Sequence, residues 1–248
     1  MKISLITSTF NSASTVQSTF DSVRKQDHSD LEYLVVDGGS TDETIGLILS
    51  NSDIISNWIT EPDKGIYDAL NKGIQMATGE VIGFIHSDDF LADSNVISSV
   101  ARAFVNKEVD AVYGDLQYVD RDDVNRMVRS WKSKPYRENL FRMGWMPAHP
   151  TFYLRKDAYT KYGVYNTNFR ISADYELMLR MLLKHKLKSC YLPMVLVKMR
   201  VGGASNQSIK NRWLANQEDA KAWKINGYKP FFLTRWLKPL SKISQYWQ

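Results

Sequence analysis

The chain has 248 residues, 44% hydrophobic and 24% charged, the balance of a globular protein long enough to bury one sizeable core. Its net charge of +5 is unevenly spread: residues 220–248 carry six cations (Lys221, Lys224, Lys229, Arg235, Lys238, Lys242) and no acid, which leaves the rest of the chain at −1. A general nucleic-acid binder is disfavoured, since the basic character belongs to one end and not to a whole face. A lone cysteine, Cys190 in SCYLPMVLV, excludes an internal disulfide and any Cys-based zinc site, and reads as a small core residue in a reducing compartment.

In chain order, the first apolar run, KISLITST, is broken at Asn11 and Ser12 and is too short for a signal segment or a spanning helix. No other stretch is long enough to span, so a cytoplasmic location is expected. Helical patterns at Thr15–Gln26, Glu43–Leu49 and Tyr67–Ala77 then alternate with the apolar runs LEYLVVD, IISNWIT and VIGFIH. That alternation predicts βαβ units, and the near-continuous apolar character predicts parallel strands covered on both faces. From about residue 110 the runs DAVYGDLQYVD, RMVRSW, TFYL and SCYLPMVLVKMR suggest a mixed half, with helices at Lys156–Tyr162 and Tyr175–His185. With no repeat and no Pro/Gly-rich linker, the body reads as one domain, 1–207, made of halves 1–90 and 91–207. A tail covers 208–248.

In open α/β sheets ligands bind beyond the carboxyl ends of the strands. Here those ends are polar and acidic: Thr9-Phe10-Asn11, Asp37-Gly38-Gly39-Ser40-Thr41-Asp42, Glu61-Pro62-Asp63-Lys64-Gly65 and His86-Ser87-Asp88-Asp89. Converging carboxylates repel one another unless a cation or a ligand rich in hydroxyls sits among them.

Two readings compete at several of these places. Asp88-Asp89 either holds a divalent cation or caps a helix starting near Ser94, and their place after a buried strand favours the cation. DGGSTDET is turn chemistry, in which Ser40, Thr41 or Asp42 caps the next helix. Asp174 in SADYELMLR stands at the start of a helix with the amphipathic run Leu177, Met178, Met181, Leu182, where Ser172 or Asp174 would cap. A carboxylate there stays ionised at neutral pH, which also suits a general base. His149 is either a core histidine or part of a pocket, and the irregular Gly144-Trp145-Met146-Pro147 before it favours the pocket.

STFN, DGGSTDET, EPDKGIYDALNKG, HSDDF, HPTFYLRK, ISADYELMLR and VKMRVGGASN, in that order, together resemble family 2 glycosyltransferases, of the bacterial type that builds O-antigen, capsule and exopolysaccharide. The resemblance covers roughly residues 1–220. It implies the nucleotide-sugar transferase fold called GT-A, with a mostly parallel central sheet and helices on both faces. It also implies an inverting transferase using a nucleotide sugar, UDP-linked, with Mg²⁺ or Mn²⁺.

Carried over by position, the resemblance makes Asp37 the reader of uracil and ribose, with the turn of Thr9 and Asn11 under the base. Asp63 and Lys64 would line the nucleotide, and Asp68 would either reach the sugar or cap a turn. Asp88 and Asp89 would hold the metal that neutralises the diphosphate, Asp88 also meeting the donor. His86 stands where many relatives have an acid or Asn, which leaves open which Asp ligates. Asp174 would be the catalytic base, with Glu176 as second candidate and His149 in the acceptor or sugar pocket. Arg200, ahead of Val201-Gly202-Gly203, would face the donor diphosphate.

The end of the chain, FFLTRWLKPLSKISQYW, sets Phe232, Leu233, Trp236, Leu237, Leu240 and Ile243 at helical spacing among Arg235, Lys238 and Lys242, with Pro239 kinking the run. It reads either as an amphipathic anchor on an anionic membrane or as a stripe packed on the body, and the absence of acid favours the membrane. The expected protein is thus a peripheral enzyme at the inner face of the cytoplasmic membrane, extending a lipid-diphosphate-linked saccharide. One rival is a non-catalytic sugar-nucleotide or polysaccharide-binding protein. Another, a sugar-1-phosphate nucleotidyltransferase, lacks its Gly-rich basic loop after the first strand, and a P-loop kinase lacks its motif.

Overall fold

A computed structural model describes residues 1–202 and 209–229. Strands β1 (Ile3–Thr9), β2 (Leu31–Asp37), β3 (Asn57–Thr60) and β4 (Val81–Phe84) form a parallel group in the order β3-β2-β1-β4. Every residue of β1 and all but the first of β2 are buried, as the unbroken apolar runs require. The helix α1 (Val16–Arg24) turns Val16, Phe20 and Val23 inward at helical spacing. Phe20 meets Tyr33 edge-on at 6.1 Å. With α2 (Thr44–Ser50) and α3 (Ile66–Met76) it supplies the crossovers, each within a residue or two of the expected span.

Beyond β4 the sheet is mixed, as the change of pattern near residue 110 suggested. The strand β8 (Tyr153–Arg155) runs antiparallel to β4 and to β6 (Ala111–Val119). The long β9 (Ser189–Arg200) is parallel to β6 and antiparallel to β5 (Asp89–Leu91). A ninth strand, β7 (Met127–Trp131), hangs on β6, and the sheet order is β3-β2-β1-β4-β8-β6-β9-β5. Parallel pairing thus describes the N-terminal half, whereas four of the eight pairings, all beyond β4, are antiparallel.

The remaining helices are α4 (Val96–Ala103), α5 (Asn139–Arg142), α6 (Lys156–Tyr162), α7 (Ala173–Met178) and α8 (Ile209–Ile225). The helix expected at Tyr175–His185 is α7 continued by a wider π-helical turn, Leu179–Lys184, and its apolar run is buried throughout. Neither Ser172 nor Asp174 caps α7, and neither Asp88 nor Asp89 caps α4, whose Ile97 N–H goes to Gln26 Oε1 instead. Cys190 is a half-buried free thiol packed on the core.

Residues 209–229, the first part of the expected tail, pack on the body through α8. Ala222 and Trp223 are buried, and Trp223 Nε1 donates to Tyr175 Oη at 2.9 Å. The apolar and basic pattern of 230–248 lies outside the described residues. Among the described residues no helix is long and apolar enough to cross a membrane.

Candidate active site

The carboxyl ends of β1, β2 and β3 meet in a hydrogen-bonded cradle. Asn11 takes a left-handed backbone, φ 47°, which asparagine tolerates better than most residues. Its N–H donates to Ser40 Oγ at 2.8 Å, and its side-chain oxygen accepts from the Thr41 N–H at 2.9 Å. Asp37 is fully buried and accepts from the N–H of Gly39 (3.0 Å) and Ser40 (2.9 Å) and from the hydroxyls of Ser40 (2.5 Å) and Thr60 (2.6 Å). It therefore stands at the expected strand end, but its carboxylate is turned into the loop and is occupied in shaping it. Direct reading of a base by Asp37 is not what this geometry offers. Asp42 accepts from the N–H and hydroxyl of Thr44 at the start of α2, so the turn and cap readings of DGGSTDET hold together.

Asp63 packs closely on Gly38, where a Cβ would lie 2.5 Å from its Oδ2. Thr9 is buried, Phe10 beside it is 60% exposed, and Lys64 is exposed. Asp68 accepts the Lys64 N–H at 3.1 Å and stands 3.7 Å from Lys72, which is paired with Glu61. The turn-capping alternative describes Asp68.

The Asp88-Asp89 turn is braced from two sides. Arg200, at the end of β9, donates to the carbonyl of Asp88 at 2.6 Å and to Ser18 Oγ at 3.0 Å, with its guanidinium over Phe90. Thr19 donates to the Asp89 carbonyl at 2.6 Å. Arg200 thus grips the backbone behind the acidic pair. Asp89 is fully buried, and neither carboxylate oxygen has a hydrogen-bond partner. Burial, then the charge of Asp88, pushes its pKa well above the usual carboxylate range. A buried carboxylate whose pKa stays raised despite the nearby charge of Arg200 demands an explanation, and a divalent cation satisfies it by adding positive charge at the pair. Among the described residues no three His, Cys, Asp or Glu form a metal cage. The pair thus suits a Mg²⁺-like ion bound by one or two carboxylates and completed by phosphate and water.

Asp174 is reached from the same turn through two imidazoles. The rings of His86 and His149 are 6.2 Å apart, and His149 Nδ1 lies 3.2 Å from Asp174 Oδ2. Asp174 Oδ1 is 3.3 Å from the hydroxyl of Tyr67 on α3, which also donates to the Ile171 carbonyl at 2.6 Å. Tyr67 stacks on Tyr165, and Tyr165 meets Phe84 edge-on, both at 5.5 Å. Burial, followed by the Asp174 charge, keeps the Tyr67 phenol protonated far above its ordinary range. Burial, then His149, lowers the His86 pKa, and its Nδ1 is buried without a partner. Glu176 does not join this group. It is 2% exposed and paired with Arg180 at 3.0 Å, with Asn226 donating to it at 3.0 Å. That pair removes it from the pocket in which it was expected.

Tyr67 and the contact of His86 with His149 escaped the sequence reading. The aromatic in IYDALNKG was a usable signal for Tyr67, because it sits one position before Asp68 in the first turn of α3. Nothing local marks a hydroxyl that will reach residue 174.

Residues 4–165 match the family described as Glycosyl transferase family 2. A PGL/p-HBAD biosynthesis glycosyltransferase of Mycobacterium bovis is 29% identical over 227 residues, 85% of this chain and 82% of that protein. An uncharacterized glycosyltransferase of Mycobacterium tuberculosis is 31% identical over 181 residues, 72% of this chain and 68% of its own. Among solved structures, S. aureus TarS 1-349 in complex with UDP-GlcNAc superposes with a TM-score of 0.66 at 16% identity, covering 91% of this chain and 65% of that one. The mannosyltransferase PcManGT from Pyrobaculum calidifontis, in complex with GDP-Man and Mn2+, gives 0.68 at 17% identity, covering 96% and 72%. These two establish the GT-A fold, and the match over residues 4–165 establishes the family: the chain belongs to glycosyl transferase family 2.

Proposed function

We propose that the chain is an inverting, metal-dependent transferase that moves a hexose or N-acetylhexosamine from a UDP-sugar to a lipid-diphosphate-linked saccharide at the inner face of a bacterial membrane. One observation carries the reading: Asp89, a buried carboxylate with two unpaired oxygens, follows the His86 turn, and the His86 ring lies 6.2 Å from His149, which stands 3.2 Å from Asp174, a carboxylate suited to act as a base. A cation held by Asp88 and Asp89 would offset the charge developing on the departing diphosphate. Asp174 accepts the proton of the attacking hydroxyl, and the hydroxyl displaces the nucleotide from the opposite face of the anomeric carbon. His149 and Tyr67 hold the two oxygens of Asp174 in place.

Around the nucleotide, the cradle of Asn11, Asp37 and Ser40 shapes the floor beneath the base. Asp63 and Lys64 line its side, and exposed Phe10 offers a ring to the base. The TarS structure holds UDP-GlcNAc and the PcManGT structure GDP-Man with Mn2+, which supports a nucleotide-sugar donor as a class. Choice of UDP, of sugar and of an O-antigen, capsule or exopolysaccharide acceptor rests on the motif resemblance, and the mycobacterial relatives are named for PGL/p-HBAD biosynthesis. Screening nucleotide sugars for donor hydrolysis with and without Mn²⁺ tests the reading. Release of UDP that depends on metal is expected, and absence of turnover with every sugar nucleotide would refute it.

The acid-free segment 230–248, with Arg235, Lys238 and Lys242 among its apolar residues, is assigned to the membrane surface, since each cation near an anionic leaflet contributes about 1 kcal/mol. Co-sedimentation of the full chain and a 1–229 truncation with anionic liposomes, at low and high salt, tests it. Binding lost on truncation and weakened by salt is expected.

A further inference from the structure

Asp174 sits one residue into a helix whose N-cap, Ser172, makes no side-chain capping bond. The backbone that leads into that end is held from elsewhere in the chain. Glu218 of α8 accepts the Arg170 N–H through Oε1 at 2.8 Å, and the Ile171 and Ser172 N–H groups through Oε2 at 2.9 and 2.8 Å. The Glu218 residue is only 7% exposed. Three charge-assisted bonds to one buried carboxylate fix a backbone far more tightly than a serine cap does.

The grip continues down the same face of α8. Trp223 Nε1 donates to the hydroxyl of Tyr175, and Asn226 donates to Glu176. Residues on both sides of Asp174 are therefore tied to α8, while Asp174 itself is held by His149 and Tyr67. The peptide of Ile171 connects the two sets of ties, since its N–H goes to Glu218 and its carbonyl accepts from Tyr67, the residue that also reaches Asp174. The segment 170–176 and α8 lie beyond residues 4–165, the part that matches the family, whereas His149 and Tyr67 lie within it.

We propose that Glu218 is a positioning residue for catalysis: by clamping the backbone of residues 170–172 it sets the place of Asp174, so that α8 belongs to the catalytic apparatus. The inference rests on the proposed role of Asp174 as base. Its consequence is selective, because the hydrogen bonds of Glu218 among the described residues go to residues 170–172 and not to the donor cradle. A charge-neutral replacement loosens the base and leaves the donor cradle as it was.

The test uses the full-length chain with Mn²⁺ and UDP-N-acetylglucosamine, UDP-glucose or UDP-galactose, whichever the parent hydrolyses. Glu218→Gln places an amide NH₂ against backbone donors, so it should lower kcat at least tenfold and leave the UDP dissociation constant within twofold of the parent. Because Glu218 acts through Asp174, the double variant with Asp174→Asn should be no slower than Asp174→Asn alone. An undiminished kcat in Glu218→Gln, or a full additional loss in the double variant, overturns the proposal. Glu218→Asp, which keeps the charge and shortens the reach, should fall between the two and serves if the glutamine variant does not fold.

Amide hydrogen exchange gives a readout independent of turnover. Exchange at residues 170–176 should quicken at least tenfold in Glu218→Gln with no change in β1 and β2. Unaltered exchange there overturns the clamp even if no donor is hydrolysed. Inactivity of the parent with every nucleotide sugar, with the exchange result as expected, would instead refute the transferase reading and leave the clamp as architecture alone.

Discussion

His149 Nδ1 and Asp174 Oδ2 are 3.2 Å apart, and with the Tyr67 hydroxyl 3.3 Å from Oδ1 this contact gives each oxygen of Asp174 a neighbour from a different element.

Asp174→Asn should lower turnover by on the order of 10²–10⁴ while UDP affinity stays near that of the parent. His149→Asn, whose amide nitrogen occupies much the same place as Nδ1, should retain more activity than His149→Ala. Steady-state kinetics and calorimetry on the three variants check this. Equal losses in both His149 variants would show that the contact does not orient Asp174.

Asp89 has two buried oxygens and no partner, and its pKa is raised by burial and by Asp88. A raised carboxylate pKa makes the metal-free fold more stable at low pH, and that stability declines as pH rises from the usual carboxylate range toward the folded value. Asp89→Asn should flatten this decline and melt at or above the parent in EDTA at neutral pH. Mn²⁺ should raise the melting temperature of the parent by mass action and should leave Asp89→Asn unmoved and inactive. Thermal melts with and without metal decide it, and full activity in EDTA would remove the cation from the account.

Asp37 serves four donors in the loop that follows β2. Asp37→Ala should therefore weaken nucleotide binding and stability together, at about 1–3 kcal/mol for each buried donor left unpaired. A residue that touched only the base would lose affinity without melting earlier. Calorimetric titration with UDP beside a urea titration separates these outcomes.

Glu32 ties three elements at one point. It accepts from Ser4 Oγ in β1 (2.5 Å), from the hydroxyl and N–H of Thr78 before β4 (2.5 and 2.7 Å), and pairs with Lys2 (2.9 Å). Burial acts to raise its pKa, but the bonds from Ser4, Thr78 and Lys2 prevail and hold it at about 2. A depressed folded pKa gives stability that is present above the unfolded value of about 4.3 and is lost as pH falls from there toward 2. With each unit worth about 1.4 kcal/mol, the parent should lose at most about 3 kcal/mol over that window, and Glu32→Gln should lack this loss. Urea unfolding at pH 7, 4 and 3 measures it.

The N-terminal half of the fold was readable because its evidence is local. Short, largely apolar and β-branched runs such as ISLITST and LEYLVVD, alternating with helical patterns, point to covered parallel strands, and the acidic strand ends follow from them. Lys156–Tyr162 was bounded correctly because Gly163, at φ 89°, ends the helix in a conformation that favours glycine. The site was legible as a set of residue types and not as a set of contacts. His149 and Asp174 were both singled out, but their pairing depends on how the 3₁₀ turn at His149–Thr151 faces α7. The inward turn of Asp37 depends on Thr60 from the next strand. The pattern of α7 showed which face is buried and gave no hint that a glutamate on α8 would hold the backbone leading into it.

The twelve residues of β9 pair with β6 along one edge and with β5 along the other, and they end at Arg200, whose guanidinium holds the Asp88 carbonyl. Because side chains alternate across a strand, sliding β9 by a single residue would turn Arg200 to the opposite side of the sheet and release the acidic turn. The count is kept by irregular pairing around Asp115, next to Gly114, where a Cβ would lie 2.6 Å from Leu196 Cγ. β9 therefore works as a ruler laid from the interior to the acidic turn, with its zero mark at that glycine. An error in counting at residue 114 would appear as a misaligned Asp88, so fidelity of strand pairing and assembly of the site are one and the same folding event.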